Sequence, residues 1–134
     1  MRIIIAGSRY FTNYGLLISE SLKYIKELKN MGYNTSRETL EIISGTANGA
    51  DKLGERFAMQ FNLKLKQFPA KWNELGKKAG YIRNREMAIY ASQDSDLGVL
   101  IAFWDGKSKG TKHMIDLARK QGLVVFIKKF YGDI

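Results

Sequence analysis

The chain has 134 residues, of which 45% are hydrophobic and 12% aromatic, which is enough to build and bury one core. With 22 basic against 13 acidic side chains, it carries a formal net charge of +9 that favours anionic ligands or partners. The lack of cysteine excludes disulfides and thiolate metal sites, and the single histidine, His113, excludes a multi-histidine metal centre. No apolar stretch is long enough for a membrane span, and Met1-Arg2 leads into a strand-like run, so we expect a cytoplasmic protein with no membrane partner. The length and the lack of a linker predict one domain over residues 1–134.

Apolar runs predict strands, and apolar residues three or four positions apart predict helices. In chain order the patterns predict a strand at residues 3–6, a helix at 13–31, a strand at 40–43, a helix around 53–61, a strand at 63–68, a helix at 81–92, a strand at 97–103, a helix that Thr111 caps and Gly122 ends, and a strand at 123–127. The polar segment 70–80 is expected to be irregular. Alternating strands and helices indicate an α/β domain with an open, mostly parallel sheet of about five strands.

The composition of each strand predicts its place in the sheet. Residues 3–6 and 97–103 are apolar throughout, as expected of central strands that are covered on both faces. Residues 63–68 alternate apolar and polar side chains, so this strand is expected near an edge. In such sheets ligands bind beyond the carboxyl ends of the strands, and the loops that follow strands are therefore the expected place of a site.

Four short glycine-bearing or polar stretches interrupt this pattern, and three of them lie between a strand and a helix. They are Gly7-Ser8-Arg9, the loop from Ser44 to Asp51, the stretch from Arg83 to Met87, and Gly110-Thr111. At the start of a helix, free backbone N–H groups and the helix dipole favour an anion, and glycine lets the backbone approach a ligand closely. Together the stretches predict a phosphate-binding site.

Taken in order, these motifs resemble the YspA/YpsA-related branch of the SLOG superfamily, and the resemblance covers almost the whole chain. The motifs are Gly7-Ser8-Arg9, Ser44-Gly45 with Gly49-Ala50-Asp51, Lys71-Trp72, the stretch from Gly76 to Gly80, Arg83-Asn84 with Met87, and Gly110-Thr111. The resemblance implies a Rossmann-like three-layer domain and a small-molecule nucleotide ligand, for example one derived from NAD or ADP-ribose. A bacterial and a phage source both fit it. It does not imply one reaction, because the superfamily includes LOG phosphoribohydrolases, the DNA-processing protein DprA and sensor domains.

The first hypothesis is therefore a binder of a phosphate-bearing nucleotide. Asp51 would accept hydrogen bonds from the ribose and Trp72 would stack on the base. The phosphates would be held by Gly7, Ser8, Arg9, Gly45, Gly49, Arg83, Gly110 and Thr111, and Ser44 and Asn84 are also predicted to bind the ligand. No resident cofactor is predicted, although Mg²⁺ can arrive with a phosphate ligand. LOG relatives pair through helices that flank the site, so the resemblance also implies a homo-oligomer.

Each of these residues has a structural alternative. The Gly7-Ser8-Arg9 stretch can be an ordinary turn, and Asp51 can serve only to complement the dipole of its helix. Trp72 and Trp104 can equally close the edge of the core. His113 is expected to be an ordinary residue of a helix surface.

The helix that begins near residue 81 carries two arginines, of which one can face the pocket. Residues four apart share a helical face, so Arg83 points the same way as Met87 and Arg85 points elsewhere. The pattern Arg-Asn-x-x-Met resembles the Arg-Lys-x-x-Met of LOG enzymes. Arg83 is therefore predicted to bind the ligand, with a structural salt bridge as its alternative, and Arg85 is predicted to lie on the surface.

Two other functions stay open. LOG enzymes carry a catalytic glutamate three residues after their Gly-Thr, and this position is Met114 here. A nucleotide N-glycosidase would therefore use Arg83 with another carboxylate, for which Asp51, Asp105 and Glu86 are the candidates. A single-stranded DNA binder like DprA is the third hypothesis, and it rests on the positive charge.

Overall fold

Residues 1–131, the part of the chain that the computed structural model describes, contain five strands and five helices. In chain order they are β1 (Arg2–Gly7), α1 (Tyr14–Asn30), β2 (Glu41–Ser44), α2 (Ala50–Gln60), β3 (Lys64–Gln67), α3 (Trp72–Leu75), α4 (Ala79–Ser92), β4 (Gly98–Trp104), α5 (Lys109–Lys120) and β5 (Val124–Lys129). Short 3₁₀ turns occur at Arg37–Thr39 and Gly76–Lys78. None of the helices within residues 1–131 has both the length and the apolar character needed to cross a bilayer.

The five strands form one parallel sheet in the order β3-β2-β1-β4-β5. The predicted central position of β1 and edge position of β3 are both confirmed. Ile4 of β1 is in register with Ile43 of β2 on one side and with Leu100 of β4 on the other. The chain builds outward from β1 to β3, then returns to the opposite side of β1. This reversal opens a crevice at the carboxyl ends of β1 and β4.

Helices cover both faces of the sheet, which confirms the predicted Rossmann-like three-layer α/β fold. Successive side chains of a strand point to opposite faces. Ile3 and Ile5 of β1 therefore pack in the core beneath α1 and α2, while Ile4 and Ala6 pack beneath α4 and α5. The two clusters of buried side chains, one on each face of the sheet, are mainly apolar, as expected of a parallel sheet that is covered on both sides.

Two local predictions are wrong. The segment 70–80 was expected to be irregular, but it contains α3 and a 3₁₀ turn, which are too short to produce a helical periodicity in the sequence. Helix α5 is capped by Ser108 and not by Thr111. The reason is Asp105, whose Oδ1 accepts the N–H groups of Lys107 and Ser108 at 2.8 Å each and so fixes the turn before the helix.

Helix α2 packs directly against β1 because it has a glycine where the two elements touch. A Cβ at Gly54 would lie 2.8 Å from the Cβ of Ile5 and 2.9 Å from its Cγ2, so an added methyl group would displace the strand or the helix. Since the neighbouring atoms belong to a buried strand, they cannot move aside freely.

Replacing Gly54 by alanine should lower the free energy of unfolding. Overpacking costs about 1–3 kcal/mol, and the gain in helix propensity of about 1 kcal/mol offsets only part of it. Gly110→Ala is the matched control, because Gly110 lies in the exposed first turn of α5 with nothing within 4 Å of the added Cβ. Urea denaturation of both variants measures the difference. Equal stability of the two would contradict the packing argument.

Candidate functional site

A pocket of about 350 Å³ opens in the crevice at the carboxyl ends of β1 and β4. Its wall is formed by the turn after β1, the start of α2, the middle of α4, the loop after β4 and the start of α5. Eight of the predicted ligand-binding residues line this wall: Gly7, Ser8, Arg9, Asp51, Arg83, Asn84, Gly110 and Thr111. Ser44, Gly45, Gly49 and Trp72 do not line it.

The turn after β1 and the loop before α2 cross at close range. A Cβ at Gly49 would overlap the carbonyl group of Ser8 and lie 2.5 Å from the carbonyl oxygen of Arg9. A Cβ at Gly7 would overlap the carbonyl group of Phe103 in β4. The N–H of Ala50 donates to the Ser8 carbonyl oxygen at 3.2 Å and joins the two loops. The glycines thus bring the N-terminus of α2 against the end of β1.

Ser8 and Arg9 differ in their freedom to meet a ligand. Ser8 is buried, and its Oγ accepts the N–H of Tyr10 at 3.2 Å. A hydroxyl that accepts one hydrogen bond keeps its own proton to donate. Arg9 is exposed at the pocket, so its guanidinium can turn toward an anion.

Arg83 and Asn84 of α4 link the loop after β2 to helix α5 beside the pocket. Arg83 donates through Nη1 to the carbonyl oxygen of Gly45, and through Nε to Oδ1 of Asn84 at 3.0 Å. Asn84 Nδ2 lies 3.4 Å from the carbonyl oxygen of Gly110 and 3.3 Å from Nδ1 of His113. Within residues 1–131, the hydrogen bonds that orient Arg83 are thus made to neutral groups and not to the carboxylate of the salt bridge considered as its alternative. Burial lowers the pKa of Arg83, and the nearby charge of Asp51 opposes that shift.

Asp51 is a buried carboxyl group in the first turn of α2, with 5% of the residue exposed. Burial raises its pKa to about 6, against the opposing effects of the hydrogen bond from the Ala47 N–H and the charge of Arg83. The Ala47 N–H reaches Oδ2 of Asp51 at 3.2 Å. A carboxyl group with this pKa can bind and release a proton near neutral pH, which an ordinary aspartate cannot.

Ser44 has a structural role behind the wall. Its hydroxyl donates to Oε2 of Glu55 at 2.7 Å and accepts the N–H of Thr46 at 3.0 Å. Glu55 Oε1 accepts a hydrogen bond from Gln67 of the edge strand at 3.1 Å. Glu55 was not predicted from the sequence, although its spacing of four residues from Asp51 places it on the same face of α2.

The two tryptophans and the histidine have different surroundings. Trp72 is 55% exposed and lies against Gly80 outside the pocket wall, so it does not close the core edge. Trp104 packs on the core beneath α5 and donates from Nε1 to the Ser108 carbonyl oxygen at 3.1 Å. His113 was expected on a helix surface, but it is half-buried, its ring centroid 4.5 Å from that of Tyr81.

The candidate carboxylates are not equivalent. Met114, at the position of the LOG glutamate, is buried and lines the pocket. Asp105 also lines it, but the N–H groups of Ser108 and Lys107 that it accepts lower its pKa. Glu86 is exposed and lies outside the wall, and Asp116 is exposed and paired with Lys112. Asp51 is therefore the best placed carboxyl group for acid–base chemistry.

Three polar or aromatic residues of the wall were not predicted from the sequence, namely Tyr10, Lys107 and Ser108. Tyr10 is next to Arg9, and the other two lie within three residues of Asp105, but closeness in sequence does not tell which way a loop side chain points. Within residues 1–131, no group of three or more His, Asp or Glu side chains is arranged to hold a metal ion.

Over 129 residues the chain is 34% identical to the gene 61 protein of Mycobacterium phage D29, and the match covers 92% of this chain and 93% of that protein. No protein-family profile matches the chain. No solved structure matches it significantly. The resemblance to the SLOG superfamily therefore stays a prediction from the motifs.

Replacing Asp51 by asparagine should change how stability depends on pH. The folded state binds the Asp51 proton with a pKa of about 6, against an ordinary value of 3.8, so it holds that proton more tightly than the unfolded chain. The contribution of Asp51 to stability is therefore full below the lower value and falls as the pH rises toward the folded pKa. Because asparagine does not titrate, the stability of Asp51→Asn relative to that of wild type should rise by about 2 kcal/mol between pH 4 and pH 7.

Urea denaturation at several pH values measures this gain. Asp116→Asn is the control, because Asp116 is an exposed carboxylate of α5. Its stability relative to wild type should change far less with pH. Parallel pH profiles for wild type and Asp51→Asn would show that Asp51 titrates normally.

Proposed function

The chain belongs to the same family as the gene 61 protein of Mycobacterium phage D29, and we propose that its pocket binds a phosphate-bearing nucleotide, of the kind related to ADP-ribose or NAD. One observation carries this proposal. The N-termini of α2 and α5 meet Arg9 and Arg83 in a single pocket beyond the carboxyl ends of β1 and β4. Helix N-termini and guanidinium groups both favour phosphate oxygens.

The start of α5 supports the phosphate site. Its first turn has no acidic residue, and Gly110 is exposed with open space where a side chain would be, so a ligand can reach the backbone. Lys107 adds a positive charge to the same side of the wall. Helix α2 has no side-chain cap at its N-cap residue Gly49. The Ala50 N–H is bonded to the Ser8 carbonyl oxygen, so the N–H groups that follow it in the first turn are the ones that can meet an anion.

Asp51 supports a ligand that carries a sugar as well as a phosphate. It lines the same pocket as Arg9 and Arg83, where a carboxyl group can exchange hydrogen bonds with ribose hydroxyls. The pocket volume of about 350 Å³ is at the lower end of the range usual for small-molecule sites. This size fits the phosphate and ribose of a nucleotide better than a large cofactor enclosed in full.

Alanine at Arg9 or at Arg83 should weaken binding about tenfold or more, since a hydrogen bond to a charged group contributes about 1.5–3 kcal/mol. The ligands to test are nucleoside monophosphates, NAD, ADP-ribose and cyclic nucleotides. Native mass spectrometry identifies which of them binds, and calorimetry gives the affinity. Arg85→Ala is the matched control, since Arg85 is an exposed residue of α4 outside the pocket wall.

Binding that is unchanged in both Arg9→Ala and Arg83→Ala would contradict the assignment of the phosphate site. Failure of wild type to bind any ligand of the panel would contradict the proposed function itself. The Arg9 variant is the more direct test. Arg83 also donates a hydrogen bond to the Gly45 carbonyl group, so its removal can disturb the loop before α2.

Asp51 favours hydrolysis of the N-glycosidic bond as a second candidate function. Its pKa of about 6 lets the protonated carboxyl group act as an acid near neutral pH. In such a reaction the bond between ribose and base breaks and the leaving nitrogen receives the proton of Asp51. The oxygen of water adds to the ribose carbon, and the proton that this water loses restores the acid form of Asp51. Arg83 would hold the phosphate.

Base release from a bound nucleotide tests this second candidate. Asp51→Asn should lower the rate about 100-fold or more while the nucleotide still binds, because general acid catalysis contributes at least this much. Asp116→Asn should keep the wild-type rate. Nucleotide recovered intact after long incubation with wild type would reject the hydrolase. Release that persists in Asp51→Asn would exclude Asp51 as the acid.

A further inference from the structure

Tyr10 is an exposed aromatic residue in the wall of the pocket. The residue is 76% exposed, and it lies beside the polar groups that line the pocket. It is the one aromatic residue of the wall within residues 1–131. A large ring in this position contributes little to the core, so its place at the pocket needs another explanation.

The backbone that carries Tyr10 is held on both sides. Its N–H donates to Ser8 Oγ at 3.2 Å, and the N–H of Phe11 donates to the Ser8 carbonyl oxygen at 3.2 Å. The next ring, Phe11, is buried between Phe103 and Phe130, with centroids 4.9 and 4.8 Å away. Phe11 thus anchors the turn in the core while Tyr10 faces solvent at the pocket. An aromatic ring on an anchored backbone loses little entropy when a ligand packs on it.

We propose that Tyr10 is the residue that stacks on the base of the ligand, an inference that rests on the proposed nucleotide site. The rest of the wall is rich in charged and hydroxyl groups such as Arg9, Asp51 and Lys107, which suit phosphate and ribose. A base needs a planar apolar partner, and Tyr10 offers one next to Arg9. The sequence motifs instead suggested Trp72, but Trp72 lies against Gly80 outside the wall.

This assignment defines the ligand class more narrowly than a phosphate site does. Stacking on an aromatic ring accepts every base, because each base has a π-face. The site would therefore select a phosphate ester that carries a planar aromatic ring over a sugar phosphate or inorganic phosphate. It would discriminate less strongly among the bases themselves.

Two probes separate the base from the phosphate, namely adenosine monophosphate and ribose 5-phosphate. Tyr10→Ala should weaken binding of adenosine monophosphate about 5- to 150-fold and leave binding of ribose 5-phosphate unchanged. Tyr10→Phe should retain both affinities, because the ring is kept. Tyr81→Ala is the control, since Tyr81 is an exposed tyrosine of α4 outside the wall. Thermal unfolding should show that the variants remain folded, as expected for exposed side chains.

Each outcome decides the assignment. Equal losses for the two probes would mean that Tyr10 acts on the phosphate site, and unchanged binding of adenosine monophosphate in Tyr10→Ala would mean that the base lies elsewhere. A selective loss in Trp72→Ala with none in Tyr10→Ala would give the role to Trp72. Any of these results overturns the role of Tyr10. The nucleotide site itself remains supported if Arg9→Ala weakens the binding of both probes. Wild type that binds neither probe overturns both proposals.

Discussion

The pocket depends on the close crossing of three backbone segments. Gly7 lies against the carbonyl group of Phe103, and Gly49 lies against the carbonyl groups of Ser8 and Arg9. These contacts bring the end of β1, the end of β4 and the start of α2 closer together than any side chain would allow. The reversal of strand order between β1 and β4 opens the crevice, and the glycines let helix α2 reach into it. Without this approach, the N–H groups of the helix would lie too far from the turn after β1 to share a ligand.

A second layer of interactions fixes the charged groups of the site. Hydrogen bonds join the loop after β2 to α4 and α5. Arg83 donates to Gly45 and Asn84, and Asn84 donates to Gly110. An arginine whose orientation is set in advance loses less side-chain entropy when it binds an anion. Asp51 is buried beside Arg83, and because its pKa is raised to about 6, its carboxylate becomes protonated as the pH falls toward 6. Protonation removes one negative charge from the pocket, so the pocket attracts an anion more strongly.

The strand and helix pattern predicted the fold because burial on two faces leaves a simple trace in the sequence. Continuous apolar runs mark β1 and β4, and the alternation in β3 marks the edge. Local features were predicted wrongly, or not at all, where individual side-chain contacts decide them. The N-cap of α5 is Ser108 and not the predicted Thr111, because Asp105 fixes the preceding turn. Tyr10 and Phe11 are adjacent aromatic residues, and only contact with Phe103 and Phe130, which are far away in the sequence, decides that Phe11 is the buried one.

The predicted site residues divide into two groups that the sequence motifs do not separate. Ser44 and Gly49 lie outside the wall and shape it, through the bond to Glu55 and the contact with Ser8. Arg9 lies in the wall and is exposed, so it is free to meet a ligand. A substitution in the first group alters binding by moving the loops, and its effect on stability should be large. A substitution in the second group alters binding with little effect on stability, because an exposed side chain contributes little to folding. Measuring unfolding beside affinity therefore distinguishes a residue that builds the pocket from one that touches its ligand.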